Sequence, residues 1–221
     1  VLRAEIAHIG SAPAPPWLWR AVRDLAEGRL QAVLHPLGFI CVPALRLSDC
    51  GVCVHLWARW FNAEAPTTSA IHCHSWDLCS IVLAGRVRNH LLRLDAQPGP
   101  AHRVFEIRST DDEDRIDRTE ALVACRSAQV ETFVAGEVYT IPAGQFHRTE
   151  VPDGHAMTVM LAHTRPDHLD LSLGPVGAPS HRLRRRHCTP AQAARAATEI
   201  GRMLGREPEL AGFLGERPWT R

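Results

Sequence analysis

Gly136-Glu137-Val138-Tyr139-Thr140-Ile141-Pro142-Ala143-Gly144-Gln145-Phe146-His147 decides the reading of this chain. The apolar run Val138 to Ile141 is closed by Pro142 and Gly144, which mark a tight turn before a new strand. That turn presents His147 as a donor. With 15 Gly, 16 Pro and 13 His in 221 residues, the pattern G-x5-P-x-G-x2-H arises by chance roughly once in 250 such chains. A second fragment, His72-Cys73-His74, says little alone, since an H-x-H arises roughly 0.8 times per such chain. In an extended strand, however, alternate side chains share a face, so His72 and His74 offer two imidazoles to one ion. His147 is then the third donor.

Together the fragments resemble the two short motifs of the cupin superfamily, which lie on neighbouring strands of a small β-barrel. Gly136, Pro142, Gly144 and His147 match the second motif, with Val151 where the family has asparagine. His72, His74 and Gly85 match the first, with Pro66 where the family has glycine. The resemblance implies an all-β core, the cupin double-stranded β-helix or jelly-roll barrel, with flanking N- and C-terminal helices. The family's acidic ligand would fall at Leu78 or Cys79, and neither is a carboxylate. Asp77 lies one position earlier. It is a candidate fourth ligand, although alternation from His72 and His74 points it out of the barrel.

A three-histidine set without a carboxylate is similar to that of the cysteine (thiol) dioxygenases within this superfamily. The resemblance implies one divalent transition metal, Fe(II) first and Ni(II) as the alternative, with molecular oxygen as co-substrate. Mammalian-type members carry a cysteine five residues after the second histidine, joined to a tyrosine downstream of the third. Cys79 holds the first place, but the only tyrosine, Tyr139, precedes His147. Both enter as candidate catalytic residues, and the bland reading of Cys79 is a buried strand cysteine.

A zwitterionic substrate also needs a cation for its carboxylate, and a guanidinium holds both oxygens. Arg59 is the first candidate if Cys53, His55, Trp57, Arg59 and Phe61 face inward. If instead Val52, Val54, Leu56, Ala58 and Trp60 face the core, Arg59 is in solvent. His55 and Trp76 are further substrate-binding candidates, and Arg86 and Arg88 less favoured ones.

Composition bounds the rest. At 45% hydrophobic content the chain can bury a full core. All 25 basic residues are arginine, which excludes Schiff-base lysine chemistry and a P-loop lysine. The formal net charge is +1, and there is neither a bilayer-length apolar run nor a signal-type N-terminus. These features predict a soluble cytoplasmic protein that engages no membrane. Seven cysteines form an odd set without scaffold density, predicting reduced thiols. Cys50-x-x-Cys53 reads as half a zinc site or as two small residues at a strand entry.

Helical spacing of Trp17, Leu18, Val22, Leu25, Leu30, Val33 and Leu34 predicts a helix from Pro16 to His35. Ten short strands follow between Phe39 and His163, including Val52 to Phe61, Leu78 to Ala84, Val87 to Leu94 and Val138 to Ile141. The acidic run Ser109 to Arg118 reads as a solvated loop. Arg182-Leu183-Arg184-Arg185-Arg186 reads as a solvated linker and not a nucleic-acid patch. Thr189-Pro190 caps a helix reaching Leu204, and residues 207–214 form another. The organisation is therefore an N-terminal helical extension (1–38), a cupin barrel (39–165), and a linker with C-terminal helices packed on it (166–221). By family resemblance its edge suits a homodimer.

The function these features predict is a metal-dependent dioxygenase oxidising a small thiol amino acid such as L-cysteine, at sulfur or with loss of the carboxylate. A cupin isomerase, lyase or oxygenase acting on a non-thiol metabolite is the alternative. A non-catalytic, metal-containing small-molecule-binding cupin is the third reading.

Overall fold

A computed structural model describes residues 14–61, 64–95 and 101–205. Alternation and turn chemistry build two sheets. The first contains β1 (Val33–His35), β2 (Phe39–Arg46), β3 (Cys50–Trp57), β8 (Val138–Ile141), β10 (Ala156–Thr164) and β13 (Arg186–His187). The second contains β4 (His72–Cys73), β6 (Ala101–Ser109), β7 (Glu113–Val134), β9 (His147–Glu150), β11 (Leu171–Gly174) and β12 (His181–Arg184). One long strand, β5 (Trp76–Asp95), serves both. Its first half pairs with β8 and β10, and its second half with β7 and β9.

The two halves of β5 meet at Gly85, the closing glycine of the first motif. Its φ is +71°, and an added Cβ would lie 2.4 Å from the His155 carbonyl oxygen. Only glycine lets the strand cross between sheets while β10 passes this close. Two expected strands are thus one bent strand.

The first sheet is covered on both faces. On one, Ile40, Val42, Val54, Leu56, Cys79, Ile81, Met157 and Val159 form a core with α1 (Pro16–Ala26) and α2 (Pro190–Met203). On the other, Leu78, Val82 and Met160 pack with Val87, Tyr139, Cys53, Trp57 and Leu91 in the interior between the sheets. This is the expected all-β sandwich with flanking helices. Among the described residues, no helix is long and apolar enough to cross a membrane.

Three local readings need correction. α1 ends at Ala26, because the Arg29 and Leu30 N–H groups both turn back to the Asp24 carbonyl (2.8 and 3.0 Å). Val33 and Leu34 then enter β1, where β-branched and apolar side chains pair with Cys41 and Ile40. The acidic run is not a loop but the tip of the β6–β7 hairpin. Nor are residues 166–187 only a linker, since they supply β11, β12 and β13. The acidic and basic runs meet: Arg182 pairs with Glu113 and Arg185 with Asp114, each at 2.8 Å. Thr189 caps α2 as expected, accepting from the Gln192 N–H while the Gln192 side chain accepts from the Thr189 N–H. The predicted helix at 207–214 lies outside the described residues.

Candidate metal centre

β4 and β9 pair with His72 opposite His147, and His147 also faces Leu91 of β5. His74 follows β4 directly. Its carbonyl accepts the Gly144 N–H at 2.9 Å, which ties the turn of the second motif to the first. Ring centroids lie 4.4 Å apart for His72–His147, 4.7 Å for His72–His74 and 5.2 Å for His74–His147. One donor atom from each falls within 4.8 Å of the other two. The three expected ligands are therefore brought together.

The donor set fits a metal on two further counts. His72 Nδ1 lies 3.0 Å from the Ala70 carbonyl and His147 Nδ1 3.0 Å from the Gln145 carbonyl, so each ring donates there and keeps Nε2 for an ion. Burial, followed by repulsion from His72, pushes His147 down to about 3. Burial likewise lowers His72, and burial, then His72 and His147, hold His74 well below the ordinary imidazole range. All three are neutral at neutral pH, the ligating form. Trp76 stacks on His74 at 3.8 Å and fixes its ring, and Asp170 Oδ1 lies 3.9 Å from His74 Nδ1. Asp170 escaped the sequence reading because it sits in the segment taken for a linker, and no spacing marks it.

The other expected site residues divide. Asp77 is not in the donor group. Its carboxylate accepts the Ala143 N–H at 2.9 Å and binds Arg165 at 2.6 Å, so it anchors the turn before His147 instead of ligating. Cys79 lies in the helix-facing core, on the opposite face of β5 from the interior cluster that holds Tyr139. That separation rules out a Cys79–Tyr139 bond and removes Cys79 from the site. Tyr139 is buried and stacked on Phe133 at 4.9 Å; burial raises its pKa, and the neighbouring Ser80 and Asn89 side chains act to lower it.

His55 and Trp57 do face the interior, gathered around Phe39 at centroid distances of 4.4 and 5.1 Å. Arg59 does not join them. β3 ends at Trp57, and the exposed Arg59 guanidinium donates to the Asp153 carbonyl at 3.1 and 3.2 Å. Arg86 is held on the surface by the Asp153 carboxylate at 2.7 Å. Sequence reasoning missed His35, which stacks on Phe39 at 4.3 Å. Burial, then the neighbouring His55, His72 and Arg185 charges, push it to about 3.

No protein-family model matches this sequence, and no curated protein matches it. Solved structures match over roughly half the chain. A hydroquinone 1,2-dioxygenase in complex with Cd2+ and 4-hydroxybenzonitrile shows 16% identity over 57% of this chain and 64% of that one, with a TM-score of 0.34. A hydroquinone 1,2-dioxygenase from Sphingomonas with 4-hydroxybenzoate bound shows 19% identity over 55% and 62%, with a TM-score of 0.32. A cupin-2 domain protein from Shewanella frigidimarina shows 15% identity over 57% and 79%, with a TM-score of 0.29. The match spans less than two thirds of either dioxygenase chain.

Proposed function

We propose that this chain is a metal-dependent oxygenase that takes a small substrate through one coordinating atom. The observation that carries this reading is the convergence of three neutral imidazoles with no carboxylate in the group. Three donors leave positions open for substrate and oxygen. Bound there, a divalent transition ion, Fe(II) first and Ni(II) as the alternative, supplies a Lewis-acid, redox-capable centre for reaction with molecular oxygen. The chain's own residues orient and shield. The Ala70 and Gln145 carbonyls fix two rings, Trp76 fixes the third, and the wall of Phe39, His55 and Trp57 keeps water from the interior.

A small thiol remains the leading substrate class, since sulfur is a strong donor to an open three-nitrogen site. The displacement of Arg59 and Cys79 favours thiols without a carboxylate over L-cysteine. The aromatic wall specifically favours a second reading, an oxygenase acting on a non-thiol aromatic such as a hydroquinone.

Anaerobic loading with Fe(II), followed by cysteine, cysteamine, mercaptopropionate or hydroquinone, tests both. Cysteamine is expected to perturb the metal spectrum before oxygen is admitted and to be consumed with it. A response to hydroquinone alone transfers the reading to aromatics. Silence to all four compounds in a fully loaded protein overturns both the thiol and the hydroquinone reading in favour of an isomerase or lyase on another metabolite or a non-catalytic binding protein.

A further inference from the structure

Cys50-x-x-Cys53 suggests half a metal site in the sequence, yet the fold gives Cys53 different neighbours. Cys41 of β2 stands opposite His55 of β3, and Cys53 stands opposite Pro43. Residues 53 and 55 share a face of β3, and 41 and 43 share a face of β2, so the pairing gathers Cys41, Cys53 and His55 on one side. That side is the interior: His55 packs on Phe39, and Cys53 packs against the interior cluster. One donor atom from each of the three lies within 4.8 Å of the other two. Both cysteines are free thiols and all three residues are half-buried.

Two thiols and an imidazole differ in kind from the all-nitrogen set of His72, His74 and His147. Thiolate ligands select soft or borderline ions, and Cys2His with a fourth position open is an established donor set for zinc. We propose that Cys41, Cys53 and His55 form a second metal site, selective for Zn(II) or an ion of like softness, beside the three-histidine centre. No residue is shared, so each site can be emptied by substitution without removing a ligand of the other. The first keeps its nitrogen-only shell whatever the second holds.

Cobalt(II) is the probe, added to the 221-residue chain stripped of metal and kept reduced. Two equivalents are expected to bind, with a near-ultraviolet thiolate-to-cobalt charge-transfer band. His147→Ala should lose one equivalent and keep the band. Cys53→Ser, and separately Cys41→Ser, should lose the other equivalent and the band while the three-histidine site still fills. A loaded protein without the thiolate band overturns the proposal, as does a band that survives both serine variants, whereas a single equivalent with the band counts against the three-histidine centre instead. Should a serine variant fail to fold, X-ray absorption at zinc on the His147→Ala chain decides. Sulfur scatterers at about 2.3 Å uphold the site, and a shell of nitrogen and oxygen alone overturns it.

Discussion

Each imidazole of the three-histidine centre is held twice, by backbone in or directly after a paired strand and by a contact of its ring. For His72 and His147 that contact is a backbone carbonyl at 3.0 Å; for His74 it is the Trp76 face. Losing an outer partner alone weakens metal binding about 10- to 100-fold. Losing the donor should do more. His72→Ala or His147→Ala is therefore expected to weaken Fe(II) binding more than about 100-fold, read by equilibrium competition with a chelator. Affinity within tenfold of the parent would show that these histidines are not the ligands. Asp77 gives the contrasting case. Asp77→Asn keeps an acceptor for the Ala143 N–H and should leave the Fe(II) content near one at this site, whereas removal of a ligand would empty it. Asp77→Ala leaves that N–H without its partner and should cost about 1 kcal/mol in denaturant unfolding.

At the scale of elements, the motif positions were legible and the faces of the strands were not. His72, His74 and His147 could be read because proline, glycine and histidine at fixed spacing specify a turn beside a strand. Alternation from Val52 to Trp57 separated two sets correctly but failed past the strand end, where Arg59 is exposed and Phe61 packs with the helix-facing core; both sets within the strand are covered, one by α1 and α2 and the other by the second sheet. Periodicity alone gives no sign of which covered face holds the chemistry. Cys79 was misplaced for the same reason, and Arg59 because β3 stops two residues earlier. Asp170 depends on pairing between distant segments, and the Cys41–Cys53–His55 cluster on the register of the β2–β3 hairpin, which shifts between Pro43 and Leu45; alternation along a single strand encodes neither. Gly85 was read only as a motif match, and the fold gives it a task. Gly85→Ala adds a methyl group 2.4 Å from a backbone oxygen at a left-handed position. It should destabilise the metal-free protein by more than about 2 kcal/mol, measured by urea unfolding. A change below about 0.5 kcal/mol, typical of a neutral surface site, would mean that β5 does not bend against β10 there.

For the whole molecule, gathering imidazoles in a closed interior makes the metal-free fold sensitive to acid. His35 and His147 titrate at about 3 in the folded chain against 6.5 unfolded, and His72 and His74 are lowered too. Between about pH 3 and 6.5 the unfolded chain therefore binds more protons than the folded one. Stability rises with pH wherever that holds, so it is fully present above 6.5 and is lost as the pH falls toward 3. Each such group contributes up to about 1.4 kcal/mol per pH unit inside the window. The urea midpoint of the metal-free protein should accordingly fall steadily below pH 6.5. His35→Gln should make that fall shallower by about one proton's slope, since His35 is not a ligand and glutamine does not titrate. Metal should steepen the dependence on acid, because an ion bound only to the neutral ring competes directly with protons. If the metal-free midpoint stays level from pH 7 to 4, these histidines are not held neutral by the fold, and the interior is open to water in a way that the packing of Phe39, Trp57 and Trp76 opposes.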